Sequence, residues 1–372
     1  MDLSYWEQNT WFKDVDFCIA GSGIVGLSCA LQLKKKFPKA KVLVLEKGIL
    51  PQGASTKNAG FACFGSASEL LSDLQNHDKE ELLNLVQKRV EGLELLKSTL
   101  GEKQIDYQQH GGYEVFLKKN KDSFEQCEAN LDMLNDMLRP VFKADTFQLK
   151  PNEFAFGNSL PNLIFTPFEG QIDTGKMMQA LLRKAQSEGI SVLNSTEVTS
   201  FSSDAESVHI KLRDFSFKTR HLCIATNAFA SELLNLKVTP ARSQVLISKP
   251  IPNLQIQGTF HLDEGFYYFR NVHNRILLGG GRNLDKEREM TSAMQTTSRI
   301  QTALEDLLKN LILPDQHVEI DQRWSGILGI GEKKKPIVKP VSDRVFCAVR
   351  LGGMGIAIGS SVGKDLADLI ES

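Results

Sequence analysis

Three glycines and one glutamate near the start of the chain have the residue types and the spacing that bind a dinucleotide. Gly21, Gly23 and Gly26 form a Gly-x-Gly-x-x-Gly pattern, and Glu46 follows 20 residues after the last glycine. In such a turn the first glycine permits a tight bend, the second lets backbone approach a pyrophosphate, and the third lets a helix pack closely on a strand. A carboxylate placed like Glu46 accepts hydrogen bonds from the ribose of an adenosine. The pattern predicts a dinucleotide site, and by itself it does not separate FAD from NAD.

The segments around this pattern are those that such a site requires. Val15–Ala20 is a short apolar, β-prone run, and a helical stretch extends from the glycines to about Lys36. Lys41–Leu45 is a second apolar run, which ends at Glu46. Together they predict a strand–helix–strand unit whose helix N-terminus faces a diphosphate with unpaired N–H groups.

Further along the chain, helical and strand patterns follow one another without a fixed repeat or a long linker. Apolar residues recur at helical spacing over 82–96 and 124–138, and 171–188 is predicted as a turn and helix. We also predict helices over Glu287–Lys309 and Ser361–Ile370. The predicted strands are Ile190–Leu193, Val208–Leu212, Phe215–Phe217, Leu222–Ala225, Gln244–Ser248, Phe266–Arg270, Arg275–Leu278 and Arg344–Val349.

Composition and charge argue against several classes of protein. The 372 residues carry 44 Lys and Arg against 45 Asp and Glu, and this balance is not that of a dedicated nucleic-acid binder. No apolar stretch approaches the roughly 20 residues that cross a bilayer, and no secretory signal is visible, so we expect a cytoplasmic protein without a membrane span. The six cysteines lack zinc spacing, so we expect buried thiols and no metal site.

Small residues cluster at three later places in the chain. Gly53–Gly60 closely follows the strand–helix–strand unit, Ala225-Thr-Asn227 ends an apolar run, and Arg350-Leu-Gly-Gly-Met-Gly-Ile356 precedes the last helix. Backbone with few side chains can pass close to a bulky flat ligand, and N–H groups of the last loop could stabilise negative charge on it. Fifteen of the 28 glycines lie within Gly21–Gly65 and Gly326–Gly363, so both ends of the chain are expected to meet at one ligand.

With these motifs in this order, the chain resembles the flavin oxidoreductases of the D-amino-acid oxidase type, which include glycine and sarcosine oxidases. Gly170–Gly175, Glu197-Val198 and Arg323-Trp-Ser-Gly326 resemble further elements of that superfamily. The resemblance implies FAD, and we expect it to be non-covalent because no cysteine matches the covalent-flavin position of sarcosine oxidase. The implied cofactor-binding residues are Gly21, Gly23, Ile24, Val25, Gly26, Glu46, Lys47, Ser55, Thr56, Asn58, Ala59, Gly60, Val198, Ala225, Thr226, Asn227, Gly352, Gly353, Met354, Gly355 and Ile356.

The same resemblance implies a fold and a division into domains. The fold is α/β, with a Rossmann-like FAD-binding domain interleaved with an α+β substrate domain on a mainly antiparallel sheet. We assign residues 1–75, 150–235 and 320–372 to the FAD-binding domain, and residues 76–149 and 236–319 to the substrate domain.

The catalytic candidates rest on the resemblance more than on local patterns. In the family a tyrosine on the strand over the flavin often contacts a substrate carboxylate, and counting back from Arg275 gives Tyr267. We predict Tyr267 and Arg270 as catalytic residues, although strand alternation places them on opposite faces unless a bulge intervenes.

One position departs from the family pattern. Family members that oxidise amino acids often carry an arginine two residues after the Trp-x-Gly element, and this chain has Leu328 there. An apolar side chain cannot replace a guanidinium that binds a carboxylate. Either Arg242, Arg270 or Arg282 takes over, or the substrate is not a simple amino acid.

The resemblance implies an enzyme that oxidises a small amine or amino acid. The substrate passes a hydride to flavin N5, the imine is hydrolysed, and oxygen or another carrier accepts the electrons. An FAD-dependent 2-hydroxyacid dehydrogenase is the nearest alternative, and Leu328 favours it. A flavoprotein that acts on tRNA and a non-catalytic FAD-binding subunit are the remaining alternatives.

Overall fold

The computed structural model describes residues 3–314 and 316–371. Met1 and Asp2, which begin the first predicted domain segment, and Ser372, which ends the last, lie outside the described residues. The strands are β1 Val15–Ala20, β2 Val42–Leu45, β3 Phe61–Ala62, β4 Gly112–Glu114, β5 Gln148–Pro151, β6 Asn162–Thr166, β7 Gly170–Gln171, β8 Ser191–Leu193, β9 Val198–Ser203, β10 Val208–Leu212, β11 Ser216–Ile224, β12 Thr239–Ser248, β13 Thr259–Leu262, β14 Tyr267–Val272, β15 Arg275–Gly280, β16 Ile320–Ile330, β17 Ile337–Ser342 and β18 Val345–Val349. The helices are α1 Tyr5–Glu7, α2 Ile24–Lys36, α3 Ala67–Asp73, α4 Lys79–Leu100, α5 Lys121–Ala129, α6 Leu131–Phe142, α7 Thr174–Ser187, α8 Lys286–Glu289, α9 Ser298–Leu307 and α10 Gly355–Asp368.

The first of two large sheets has a parallel core. Strands β18, β11, β1, β2 and β8 lie side by side in that order and run parallel, with β17 antiparallel at one edge. A hairpin of β9 and β10 extends from β11. In register, Ala20 at the end of β1 lies between Leu45 and Ile224, so these strands end at one edge. Ligands bind at this edge in open parallel sheets.

The second large sheet is mainly antiparallel. Its order is β16-β12-β15-β14-β13-β4-β6-β5, and only the β13–β4 pair is parallel. The predicted fold class is therefore confirmed: an α/β fold in which a Rossmann-like sheet is combined with a second, mainly antiparallel sheet. The strand–helix–strand unit is confirmed too, with β1, α2 and β2 where the sequence predicted them.

Helices α2 and α10 pack on one face of the first sheet, α4 packs on α10, and glycines allow the three helices to approach closely. A Cβ added to Gly363 would lie 2.6 Å from the Ser28 Cβ, and one added to Gly92 would lie 2.2 Å from the Ala357 carbonyl oxygen. Any larger residue would separate these helices. The apolar faces of all three helices join one core with α5, α6 and α7.

Two predicted helices differ from the observed ones. The predicted Glu287–Lys309 helix is interrupted, because α8 ends at Glu289 and α9 begins at Ser298. The intervening Ser and Thr side chains compete with helical hydrogen bonding, and Glu289 is held by Arg242 at 2.7 Å. The closing helix begins at Gly355 rather than Ser361, because its glycines are needed for packing and tertiary contacts outweigh their low helix propensity.

Sheet membership also differs from the predicted segment boundaries. Strands β6 and β16 belong to the second sheet, although both fall within segments assigned to the FAD-binding domain. Helices α4 to α6, assigned to the substrate domain, pack into the core of the first sheet. Hydrophobic patterns give the type of an element but not its partner, so these boundaries needed the tertiary structure. Across the described ranges, no helix is both long and apolar enough to cross a membrane.

Candidate functional site

A cavity of about 560 Å³ lies where the two large sheets meet. Ala20, Leu45 and Ala225 bring the carboxyl ends of the parallel strands to it, and β12 to β16 supply the opposite wall. A cavity of this volume is within the usual range for small-molecule and cofactor sites. We call the part formed by the glycine turns, at the carboxyl ends of the parallel strands, the glycine end. The opposite part, near α3 and near Tyr268 on strand β14 of the second sheet, is called the strand end.

The first glycine turn is fixed by contacts of its own backbone. Gly21 has a φ of +104°, and a Cβ there would lie 2.8 Å from the Ala225 carbonyl oxygen. A Cβ on Gly26 would lie only 1.9 Å from the Gly21 carbonyl oxygen. The Ile24 N–H donates to Ser55 Oγ at 3.0 Å, so the second loop caps the start of α2. This turn leaves the positive end of α2 beside the cavity.

Glu46 is buried at the end of β2 and lines the cavity. Its Oε2 accepts hydrogen bonds from the Ser22 N–H at 3.1 Å and the Ser22 hydroxyl at 2.9 Å. Its Oε1 accepts one from the Gly48 N–H at 3.0 Å. A carboxylate has about four acceptor sites, so these contacts orient Glu46 and leave capacity for a ribose hydroxyl.

The second loop, Gly53–Gly60, is held by Arg270. The guanidinium donates to the carbonyl oxygens of Ala59 and Ile172, the latter at 2.9 Å. Burial lowers the pKa of Arg270 to about 10. Asn58 Oδ1 accepts from the Gly60 N–H at 2.8 Å and the Thr174 hydroxyl at 2.9 Å. Arg270 therefore joins the second sheet to this loop, and its guanidinium is occupied by backbone.

The C-terminal glycine loop is held by Asn227, which has a φ of +45°. Its Oδ1 accepts from the backbone N–H groups of Arg350 at 3.0 Å and Leu351 at 3.2 Å. The Gly352 N–H donates to the Gly329 carbonyl oxygen at 3.0 Å. One side chain thus joins the end of β11 to the loop before α10, and both border the cavity.

Most of the predicted cofactor residues line this one cavity. Those that do are Gly21, Gly23, Ile24, Val25, Glu46, Lys47, Ser55, Asn58, Ala59, Val198, Ala225, Thr226, Asn227, Gly352, Gly353, Met354, Gly355 and Ile356. Gly26, Thr56 and Gly60 do not line it, because they pack within their own turns.

The lining fits a long dinucleotide with a flat ring. A Cβ added to Gly53, Gly352 or Gly353 would meet no atom within 4 Å, so these backbones face open space. Thr226 Oγ1 is buried without a hydrogen-bond partner among the described residues, so it could bind a polar group of the cofactor. Residues 53–60 and 350–356 could hold the flavin, and the N-terminus of α2 with Glu46 could hold the diphosphate and ribose.

The predicted catalytic pair lies elsewhere. Tyr267 packs beside the core of the second sheet and lines a separate, smaller cavity. Tyr268 lines the main cavity, with its hydroxyl 2.8 Å from Ser243 Oγ and its ring 5.4 Å from that of Phe61. Neighbouring strand residues point to opposite faces, so counting back one residue too many from Arg275 selects a side chain on the other face. Tyr268 shares its face of β14 with Arg270, whose guanidinium contacts the second loop.

Of the three arginines considered as carboxylate partners, Arg282 alone keeps its guanidinium unpaired within residues 3–314 and 316–371. Arg242 is buried against Glu289 with contacts of 2.9 and 2.7 Å, and Arg270 binds backbone. Arg282 lines the cavity, with its guanidinium carbon 5.1 Å from the centre of the Phe266 ring. Burial lowers the pKa of Arg282. Leu328 is an apolar part of the same wall.

Sequence patterns did not reveal a group of charged residues at the strand end. Glu69, Asp73, Arg89, His261 and Lys334 all line the cavity. They come from α3, α4, β13 and the loop after β16, and no short motif connects them. Their individual positions carry no spacing signal, so only the fold could identify them.

His261 belongs to a buried set with Cys63 and Glu169. Its Nε2 lies 2.8 Å from Glu169 Oε2, which also accepts from the Thr259 hydroxyl at 2.9 Å. Burial alone would lower the pKa of His261, but the nearby carboxylates, led by Glu169, raise it. One metal-ligand atom from each of Cys63, Glu169 and His261 lies within 4.8 Å of those of the other two.

All six cysteines are free and buried, as predicted, and Cys63 is the one that lines the cavity.

Comparisons with known proteins agree with this geometry. The model of the family described as FAD dependent oxidoreductase matches residues 16–369. The chain is 20% identical to the probable oxidoreductase OrdL of Haemophilus influenzae over 97% of this chain and 84% of the relative. Its fold is similar to glycine oxidase from Geobacillus kaustophilus, with a TM-score of 0.76, 22% identity, and coverage of 96% of this chain and 95% of that one. L-proline dehydrogenase from P. horikoshii has a TM-score of 0.75 at 19% identity, covering 96% and 93%.

A third solved structure, iminodiacetate oxidase from Chelativorans sp. BNC1, has a TM-score of 0.74 at 20% identity and covers 94% of each chain. At these identities the structures show a shared fold. The family match, in contrast, covers nearly the whole chain, and the glycine turns that it implies line one cavity. The chain therefore belongs to the FAD-dependent oxidoreductase family, and FAD is its cofactor.

Proposed function

We propose that the protein oxidises the C–N bond of a small amino acid whose carboxylate binds Arg282. The observation that carries this proposal is the guanidinium of Arg282, which has no partner among the described residues and lines the same cavity as Tyr268. Neighbours named glycine oxidase, iminodiacetate oxidase and L-proline dehydrogenase support an amine or amino acid as the substrate class.

In this proposal the residues of the chain bind and orient the substrate, and bound FAD would supply the two-electron acceptor for the hydride of the substrate carbon. Arg282 pairs with the carboxylate, and the Tyr268 hydroxyl donates to it while accepting from Ser243 Oγ. Two contacts on one carboxylate fix the position of the adjacent C–H bond. The resulting imine is hydrolysed by water to a carbonyl compound and ammonia.

The apolar residues of the cavity wall have a different role from Arg282 and Tyr268. Phe61, Val245 and Leu328 line the cavity on the same side as Tyr268. They exclude water from the reacting carbon and strengthen the charge pairing of Arg282. In this arrangement Leu328 packs against the substrate. The cation that binds the carboxylate is Arg282, which follows β15, instead of a residue on β16.

We propose that FAD is bound without a covalent bond. Cys63 is the one described cysteine in the cavity, and burial raises the pKa of its thiol well above the usual value. A thiol is a far weaker nucleophile than a thiolate. Release of all flavin on acid precipitation would agree with this proposal. We also propose that oxygen or another carrier accepts the electrons. The protein is proposed to be cytoplasmic and to have no nucleic-acid partner.

The test is anaerobic flavin bleaching with a panel of amino acids, their decarboxylated amines and the matching 2-hydroxy acids. Arg282→Met should raise KM for amino acids about 10- to 100-fold, as expected for loss of 1.5–3 kcal/mol of charged hydrogen bonding. Amines without a carboxylate should be unaffected. Arg288→Met, on the exposed surface of α8, is the matched control.

The outcomes separate the alternatives. An unchanged KM in Arg282→Met would contradict carboxylate binding by this residue. Faster bleaching by 2-hydroxy acids than by amino acids would favour the 2-hydroxyacid dehydrogenase. If no small molecule in the panel bleached the flavin, a macromolecular substrate or a non-catalytic subunit would replace the proposal.

A further inference from the structure

Two carboxylates at the strand end share a single lysine. Glu69 and Asp73 lie one helical turn apart on α3, where they are 7% and 6% exposed, and both line the cavity. Lys334 Nζ lies 2.8 Å from Glu69 Oε1 and 2.8 Å from Asp73 Oδ1. The ammonium of Lys334 therefore pairs with one oxygen of each carboxylate.

The second oxygen of each carboxylate has no donor within residues 3–314 and 316–371. Asp73 Oδ2 is fully buried and without a hydrogen-bond partner. Burial raises the pKa of Asp73 although Lys334 opposes this shift. A buried carboxylate oxygen without a donor is costly, so the folded protein holds an acceptor that another molecule can satisfy.

Glu69 and Asp73 share their cation, because Lys334 contacts both. Arg89 also lines the cavity, and its Nη1 donates to the Phe64 carbonyl oxygen at 2.6 Å. Glu264 adds a third carboxylate to this part of the lining. A bound cation would give the pair a second positive partner.

Arg282 and the carboxylate pair line the same cavity. The turn between β13 and β14 contacts both: a Cβ on Gly265 would be 3.5 Å from Glu69 Oε2, and the Arg282 guanidinium carbon is 5.1 Å from the centre of the Phe266 ring. The cavity therefore offers a cation and a pair of acceptors to one bound molecule.

We propose that the substrate is a basic amino acid, whose terminal ammonium or guanidinium binds Glu69 and Asp73. This inference rests on the proposed function, because it requires the carboxylate to bind Arg282. The N–H donors of the terminal group satisfy the second oxygens, and its positive charge pairs with the two carboxylates. The reaction is unchanged: the α-carbon loses a hydride to FAD, and water converts the imine to a 2-oxo acid and ammonium.

The experiment compares lysine with norleucine, which has a similar chain and no terminal ammonium. Both enantiomers are mixed anaerobically with the FAD-loaded protein, and flavin reduction is followed by its absorbance. We expect lysine to reduce the flavin at least tenfold more efficiently than norleucine at limiting concentration, a difference of about 1.4 kcal/mol.

Variants then identify the residues. Asp73→Asn and Glu69→Gln should each lower the lysine-to-norleucine ratio about tenfold or more. Wild-type flavin content in the purified variants shows that folding and FAD binding are intact. Glu80→Gln, an exposed carboxylate in the first turn of α4, is the matched control and should keep the wild-type ratio.

Each outcome decides one of the two proposals. Equal efficiency for lysine and norleucine, or a ratio that neither variant changes, would overturn the basic-substrate inference and leave the proposed function standing. If neither compound reduces the flavin but glycine or another neutral amino acid does, the same conclusion holds. If no amino acid reduces it, both proposals fail.

Discussion

The two ends of the cavity are built by different means. At the glycine end, backbone forms the surface, and the added-Cβ distances of 1.9 and 2.8 Å at Gly26 and Gly21 show that no side chain fits there. At the strand end, side chains from distant elements form the surface, and the charges of Glu69, Asp73 and Lys334 are buried together.

This difference indicates where the amino-acid sequence can vary without loss of FAD binding. Backbone geometry with strict steric limits suits a cofactor that every member of the family shares. Side chains on a stable sheet can change without altering the backbone, which suits a substrate that differs between members. Substitutions at the glycine end should therefore remove FAD, whereas those at the strand end should keep FAD and alter substrate use or the response to pH.

The largest effect is expected at Gly26. A Cβ in Gly26→Ala would lie 1.9 Å from the Gly21 carbonyl oxygen, so β1 and α2 must separate and the turn can no longer approach the diphosphate. We expect complete loss of bound FAD, measured as flavin absorbance per purified protein. In Gly175→Ala the new Cβ would meet only the Asp173 carboxylate at 3.3 Å, so this control should stay yellow. A yellow Gly26→Ala protein would contradict the assignment of the turn.

A smaller effect is expected at Glu46. Glu46→Gln keeps the shape but loses the charge that receives hydrogen bonds from Ser22, Gly48 and the ribose. Loss of about 1.5–3 kcal/mol should weaken FAD binding roughly 10- to 100-fold, measured by titrating apoprotein with FAD. Glu197→Gln, an exposed carboxylate at the same cavity, should bind FAD almost normally. Equal affinity in both variants would place the ribose elsewhere.

The smallest effect is expected at His261, and it concerns pH. The pKa of His261 is raised in the folded protein, so its pairing with Glu169 contributes fully to folding stability below the unfolded pKa near 6.5. This contribution is lost as the pH rises through the folded pKa. His261→Gln should therefore lower Tm most near pH 6 and least near pH 9, with FAD content unchanged. The exposed His110→Gln should leave the pH profile of Tm as in the wild type. A pH-independent loss in His261→Gln would show that the pair is not charged.

The sequence predicted the glycine end well because its signals are local. The strand–helix–strand unit follows from apolar runs around Gly21, Gly23 and Gly26, and the structure has it over the predicted residues. The strand end was predicted less well. The sequence predicts Tyr267 as catalytic, whereas Tyr268 lines the main cavity and Tyr267 a separate one, because a shift of one residue reverses the face of a strand.

Sequence alone determined the fold class, the family resemblance and the glycine turns that line the cavity, because short-range sterics and periodicity fix them. Only the tertiary structure decided that Arg282 has no partner among the described residues while Arg242 and Arg270 are occupied, since Arg242–Glu289 and Arg270–Ile172 each join residues more than 40 positions apart. It also brought α3 to the loop that carries Lys334. The energy of a buried charge depends on its neighbours in space, and the chain order does not contain that information.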